Sequence, residues 1–134
     1  MAAAETALGA WTNQYIGIPF EDCGRTPHGW DCWGLVRYVY AEHLSIELPE
    51  FDYRDTSNLA EVAGLFDSGL DRWQEVTTPE TFDVVLLVLA GRATHCGVYV
   101  GGNRMLHVLH GCATSIIRCR SHLWKPRGFF RWKG

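Results

Sequence analysis

Cys32 stands directly after Asp31, where a turn-rich stretch gives way to helical periodicity, and His95 stands far downstream at the mouth of an apolar run, Thr94-His95-Cys96-Gly97-Val98-Tyr99-Val100. A thiol is mostly protonated at neutral pH, and both an adjacent imidazole and the positive end of a helix dipole favour its thiolate. Asp31 is placed to cap the helix and Cys32 to be its first residue. The sulfur then lies beside backbone N–H groups that can also bind a developing oxyanion. Cys32 is read as a nucleophile and His95 as its general base. The other cysteines, Cys23, Cys96, Cys112 and Cys119, carry no such setting and are read as structural.

A base of this kind works better when a third group fixes its ring through the other nitrogen. His107 and His110 are the candidates, and hairpin register separates them. A three-residue loop at Gly101-Gly102-Asn103 sets Val100 opposite Arg104 and Gly97 opposite His107, which then shares a sheet face with His95. A two-residue turn at Gly102-Asn103 sets His110 across from His95 and turns His107 to the other face. Spacing alone leaves both registers open. Cys32, His95 and His107 show no close chelating pair such as CxxC or HxxxH, so no metal is expected, and no cofactor.

The elements that must position these groups follow from periodicity. A first helix is expected from about Ala4 to Ile16, with Leu8, Trp11 and Tyr15 on one face and Gly17 and Pro19 ending it. A glycine- and proline-rich loop runs from Glu21 to Gly29. The second helix runs from Cys32 to about His43, its apolar stripe being Leu35/Val36, Val39/Tyr40 and Leu44. Asn58 and Glu61 open a third helix reaching about Gly69. Strands are expected at 84–89, 96–100, 104–109, 115–118 and 129–132. Helices first and an antiparallel meander afterwards make this an α+β chain.

The chain has 134 residues, 47% of them hydrophobic, and includes six Trp, five Tyr and six Phe. That is most economically one domain, 1–134, able to bury its own core. Net charge is −3, yet from Arg118 onward there are basic residues and no Asp or Glu. No aromatic-rich RNA motif accompanies them, so a solvated or subunit-contacting edge is expected rather than nucleic acid. The odd cysteine count and absent CxxC spacing fit a reducing compartment. Met1-Ala-Ala-Ala-Glu5 lacks a basic region leading into an apolar stretch, which predicts synthesis in the cytoplasm without a signal peptide. The apolar run from Val84 to Ala90 is too short to span a bilayer.

In Tyr15-Ile-Gly-Ile-Pro-Phe20, Gly29-Trp-Asp-Cys-Trp-Gly-Leu-Val36, Asp83-Val-Val-Leu-Leu87 and His95-Cys-Gly-Val-Tyr-Val-Gly-Gly-Asn-Arg-Met-Leu-His107, the chain resembles the NlpC-type, papain-like cell-wall cysteine peptidases. Asp31-Cys-Trp-Gly-Leu-Val-Arg37 and Trp124-Lys-Pro-Arg-Gly-Phe-Phe-Arg-Trp132 look most like the single-domain forms in tails of long-tailed bacteriophages and gene transfer agents. The resemblance implies a papain-like α+β fold with the nucleophile's helix packed on an antiparallel sheet. It implies Cys32 as nucleophile, His95 as base and His107 as the orienting residue. The implied reaction is hydrolysis of the D-glutamyl to diamino acid bond of a peptidoglycan stem peptide through a thioester. The implied setting is a virion tail tip, with hub proteins as partners and no membrane.

Asp31, Trp33 and Phe20 are the expected substrate-side or oxyanion-side residues. Two of them depart from the family pattern. Trp33 stands where many relatives carry Ser and is expected to narrow or reshape the cleft. Phe20 stands where Tyr is usual, which removes a hydroxyl expected to point into the site. Phe82 precedes Asp83 in place of a usual glycine and is read as a strand-edge packing change. Those marks keep a second function open, a structural tail-tip subunit with weakened catalysis. Acyl transfer to or from lipid is a third, without a membrane-binding segment to support it.

Overall fold

Alternation along Arg92–Gly101 sends Cys96, Val98 and Val100 to one face of a sheet, while Tyr99 goes to the other. A computed structural model describes residues 11–50, 70–89, 92–121 and 126–134. In chain order it has β1 (Arg25–Thr26), β2 (Gly29–Trp30), α1 (Cys32–Val39), β3 (Trp73–Val76), β4 (Val84–Leu89), β5 (Arg92–Gly101), β6 (Arg104–His107), β7 (Ser115–Arg118) and β8 (Pro126–Trp132). The expected third helix and the start of the first lie outside the described residues. The described end of the first helix tightens into a 3-10 turn, Asn13–Tyr15, before Ile16 turns extended. The architecture is α+β, one helix packed on a large antiparallel sheet.

The strand order is β3-β8-β4-β5-β6-β7, every pair antiparallel. Only β4 to β7 follow one another as the expected meander; β8 inserts between β3 and β4. Its adjacent aromatics explain the place: Phe130 packs in the helix-side core and Phe129 in the core on the opposite face. A strand apolar on both faces belongs inside a sheet rather than at its edge. β4 follows the same rule, with Val84 and Leu86 on the helix side and Val85 and Leu87 on the other.

The β5–β6 hairpin combines parts of both expected registers. Gly102 and Asn103 are the two central residues of the turn, with φ of 60° and 61°, and Gly101 pairs with Arg104. Positive φ at both central positions is the two-residue turn whose twist suits a hairpin. Val100 therefore does not face Arg104. The register then shifts between Tyr99 and Gly101, so that Tyr99 pairs with Met105 and Val98 with Leu106. That bulge gives a two-residue turn the pairing expected of a three-residue loop. Gly97 comes to lie against His107: a Cβ on Gly97 would stand 2.2 Å from Met105 Cε and 3.2 Å from His107 Cβ.

Helix α1 is buried nearly all round, with Leu35, Val36 and Val39 wholly inside the core. It ends earlier than expected: Tyr40–Leu44 widen into a π turn, closed by Ser45 in the left-handed region at φ 55°. Tyr40 donates its hydroxyl to the Phe82 carbonyl at 2.5 Å. Phe82 itself has φ 79°, so the residue is a turn position that favours glycine, not a strand-edge packing change. Its ring is kept there by packing against Trp11 and His43.

Candidate active site

Three short segments converge on the start of α1. Trp30, wholly buried, donates its indole N–H to Thr114 Oγ1 at 2.9 Å, and Thr114 Oγ1 donates to the Ile18 carbonyl at 2.8 Å. Backbone bonds Gly17 N to Thr114 O, Thr114 N to Ile18 O and Phe20 N to Cys112 O tie the chain before the helix to the loop after β6. The helix start and the end of β6 are thereby held in one frame. Asp31 caps the helix, its Oδ1 accepting from Gly34 N at 2.8 Å. The same buried carboxylate accepts from Cys23 N at 3.1 Å and from Arg25 Nη1 at 2.8 Å. Arg25 also donates through Nε to Glu50, which Arg37 of the helix holds from the other side.

At the first helical position, the Cys32 thiol meets two groups from β5. Cys96 first and then His95 act to hold it well below the ordinary thiol range despite its burial. Cys96 is pushed well above that range, first by burial and then by Cys32. His95 Nε2 lies 3.0 Å from His107 Nδ1, the two rings edge to face. His107, 4% exposed, is pushed down to about 4 by burial and by the neighbouring His95. It is therefore neutral at pH 7, and its Nδ1 accepts in the tautomer that places a proton on His95 Nε2. In that tautomer the other ring nitrogen of His95, Nδ1, is the one without a proton, as a thiol's base requires.

The structure brings Cys32, His95 and His107 together and leaves His110 outside. His110 is exposed, with its ring against Phe20 at 5.1 Å between centroids. Phe20 is half-buried beside Trp30. Trp33 corrects the expectation of a cleft-narrowing side chain. It is buried in the core, donates its indole N–H to the Pro49 carbonyl at 2.9 Å and packs edge-on against Trp73. One residue along a helix turns the side chain about 100°, which is enough to take it from the sulfur's side into the core. Asp31 is an acceptor already engaged by three donors, so its part is to hold the helix start and not to bind an oxyanion. Cys96, expected to be structural, is wholly buried on β5 and helps hold the Cys32 thiol below its ordinary range. Its signal in the sequence was adjacency to His95. Arg25 and Glu50 carried no signal. Among the described residues no cluster of three or more His, Cys, Asp or Glu could hold a metal ion.

Replacing His107 with Ala is expected to slow Cys32-dependent turnover on the order of a hundredfold or more, by freeing the His95 tautomer. His110→Ala should change it by less than about threefold; steady-state rates of the two variants compare them, and a larger loss at His110 would refute the assignment. Acid stability supplies a second check. An unfolded His107 takes up its proton near 6.5 and the folded one only near 4. Falling pH thus favours the unfolded chain across that window, costing about 3 kcal/mol once both values are passed. Urea midpoints from about pH 7 to about pH 4 should fall less steeply for His107→Gln than for the parent chain.

Comparison with known proteins adds family context to this geometry. The profile of the NlpC/P60 family matches residues 17–132. Gamma-DL-glutamyl hydrolase of Bacillus subtilis is 27% identical over 134 residues, 94% of this chain and 28% of that protein. Murein DD-endopeptidase MepH of Escherichia coli is 34% identical over 96 residues, 69% of this chain and 32% of that protein. The chain thus spans about a third or less of either curated relative. Among solved structures, RipD of Mycobacterium tuberculosis, described as a non-catalytic NlpC/p60 domain protein adapted to peptidoglycan binding, shares the fold. Its TM-score is 0.59 at 19% identity, with 95% of each chain covered.

Proposed function

This chain belongs to the NlpC/P60 family, and from that premise we propose that it is a cysteine peptidase that hydrolyses peptide bonds in peptidoglycan. The observation that carries the reading is the buried Cys32 at the first position of α1, its thiol lowered by Cys96 and His95, with His95 Nε2 3.0 Å from His107 Nδ1. The Cys32 thiolate attacks the scissile carbonyl and a tetrahedral oxyanion forms. The backbone N–H of Cys32, at the start of α1, is the candidate donor for that oxyanion. Protonated His95 gives its proton to the leaving amine and a thioester remains. His95 then takes a proton from water, hydroxide attacks the thioester, and the thiolate departs.

The bond cut is, in this reading, the one between D-glutamate and the diamino acid of a stem peptide. The likeness to a gamma-DL-glutamyl hydrolase supports that bond, whereas the likeness to a DD-endopeptidase points to a cross-link. Digestion of purified peptidoglycan followed by mass spectrometry of the fragments decides: a new D-glutamate terminus is expected, and an intact γ-linkage with cleaved cross-links would overturn the choice of bond. A binding-only role, as described for RipD, is less favoured because nucleophile, base and orienting ring are all in contact here, and because Trp33 does not obstruct the site. No fragments from any peptidoglycan type would establish that role instead.

We further place the protein at the tip of a phage-like tail, contacting hub proteins and opening the wall locally during DNA entry. The likeness of residues 31–37 and 124–132 to tail-associated forms supports this. Quantitative mass spectrometry of purified particles should find it at a fixed copy number per tail; recovery only in the soluble cytoplasmic fraction would sink the placement.

A further inference from the structure

The carboxylate that caps the nucleophile's helix has no exposed surface, and a cation that answers its charge comes from outside the helix. That cation is Arg25. Its Nη1 donates at 2.8 Å to Asp31 Oδ1, the oxygen that also accepts from Gly34 N, and at 2.8 Å to the Gly24 carbonyl. Arg25 lies on β1 opposite Trp30 of β2, the residue just before Asp31. The hairpin can come this close because the first turn of α1 carries a glycine: a Cβ on Gly34 would strike the Gly24 carbonyl oxygen and stand 3.1 Å from Arg25 Nη1. Glu50 grips the guanidinium from the other side. Its two carboxylate oxygens accept from Arg25 Nε at 3.0 and 2.9 Å, and Arg37 Nη1 of the helix reaches the same carboxylate at 2.9 Å. The segment that carries Glu50 is strapped along α1 by Trp33 Nε1 to the Pro49 carbonyl and Arg37 Nε to the Leu48 carbonyl, both at 2.9 Å. Arg25 is thus fixed at both ends.

We propose that Arg25 is a positioning residue for the nucleophile: locked by Glu50, its guanidinium answers the charge of the buried Asp31 carboxylate and so keeps the first turn of α1, with Cys32 on it, in the reactive place. The inference rests on the peptidase reading and deepens it. A buried carboxylate that loses its cation is left uncompensated, and it finds relief by turning toward water or by drawing water in. Either movement loosens its hold on Gly34 N, so the cap weakens and the helix start shifts with Cys32 on it. A displacement of about an ångström is enough to cost about a hundredfold where reacting atoms must align. The effect passes through Asp31, so the loss should fall on kcat and leave KM. It also follows the charge of the side chain more than its bulk.

The test is a double-variant cycle on the full chain, with kcat and KM measured on soluble stem-peptide fragments of peptidoglycan. Alkylation of Cys32 by iodoacetamide at pH 7 is measured beside it by peptide mass spectrometry, with the exposed Cys112 as internal reference. All assays run well below each variant's melting temperature. Arg25→Met should lower kcat and Cys32 alkylation by about tenfold or more, with KM within about threefold of the parent chain. In an Asp31→Asn background, where the buried charge is gone, the same change should cost less than about threefold. Arg25→Lys restores the charge without the planar fork and should recover about half of the logarithmic loss. A side chain that only packs the hairpin would lose as much in the Asn background and gain nothing from Lys. Either of those results, or an Arg25→Met variant with parent kcat and parent alkylation, overturns the proposal. Should Arg25→Met not fold, Arg25→Lys and Glu50→Ala decide: each should lower kcat by about twofold to fivefold, and parent values in both overturn it. A parent chain that alkylates readily at Cys32 yet cleaves no peptidoglycan would instead defeat the peptidase reading, while the alkylation arm still judges Arg25.

Discussion

Cys32→Ala is expected to lower peptidoglycan turnover by about five orders of magnitude, to the level of the assay blank, because it removes the atom that forms the covalent intermediate. The fold should be almost untouched. Cys32 opens α1, Ala is a good helix former, and the lost sulfur leaves only a one-atom gap at the helix start. Melting temperature should therefore shift by only a few degrees while activity vanishes. His95→Gln should approach the same loss, and the double variant should cost little more than either single one, since nucleophile and base act as a unit. Fragment release that persists in Cys32→Ala would exclude the thioester route altogether.

Asp31→Ala is expected to produce the largest loss of stability among single changes around the site, about 3 kcal/mol, from a lost helix cap and a buried N–H left without its acceptor. Three donors converge on that carboxylate, from Gly34, Cys23 and Arg25, and none of its surface is exposed. Arg25 keeps Glu50, which limits the damage on the charged side. Asp31→Asn retains an acceptor for the cap and should cost about half as much. Melting temperature should fall by about 10 °C for Ala. Turnover should fall as well, by about a hundredfold, because a helix start displaced by an ångström misaligns Cys32 from His95. A variant that melts with the parent chain would show that Arg25 and Glu50 alone hold the loop.

The residues that carry the chemistry were legible because each sits at a boundary that sequence marks well. Asp31 precedes an apolar stripe of helical period, and it caps that helix. His95 precedes an alternating run, and Gly97 two residues on leaves the space into which His107 packs. What stayed hidden depends on contacts made across the chain. The Gly102-Asn103 turn and the bulge beyond Tyr99 have opposite effects on register, and only their combination sets His107 beside His95. Trp33 looked like a cleft residue from its neighbour, yet α1 is buried on almost every side, so adjacency to Cys32 said nothing of direction. β3 escaped notice because Trp73-Gln74-Glu75-Val76 lacks a period-two pattern, as befits an edge strand. Phe129 and Phe130 announced a strand but not its neighbours on either side.

The insertion of β8 between β3 and β4 bears on how the chain comes to be folded. Among the described residues β3 joins the rest of the sheet through β8, the last described strand in chain order. During synthesis the hairpins β4–β5–β6–β7 can zip locally as each leaves the ribosome, while β4 presents an open edge until residues 126–132 arrive to cover it. Closure joins segments up to about sixty residues apart, such as Trp73 with Trp132, and pairings of that range are slow. The nucleophile's helix is thus packed on a sheet that is completed only once residues 126–132 have been made.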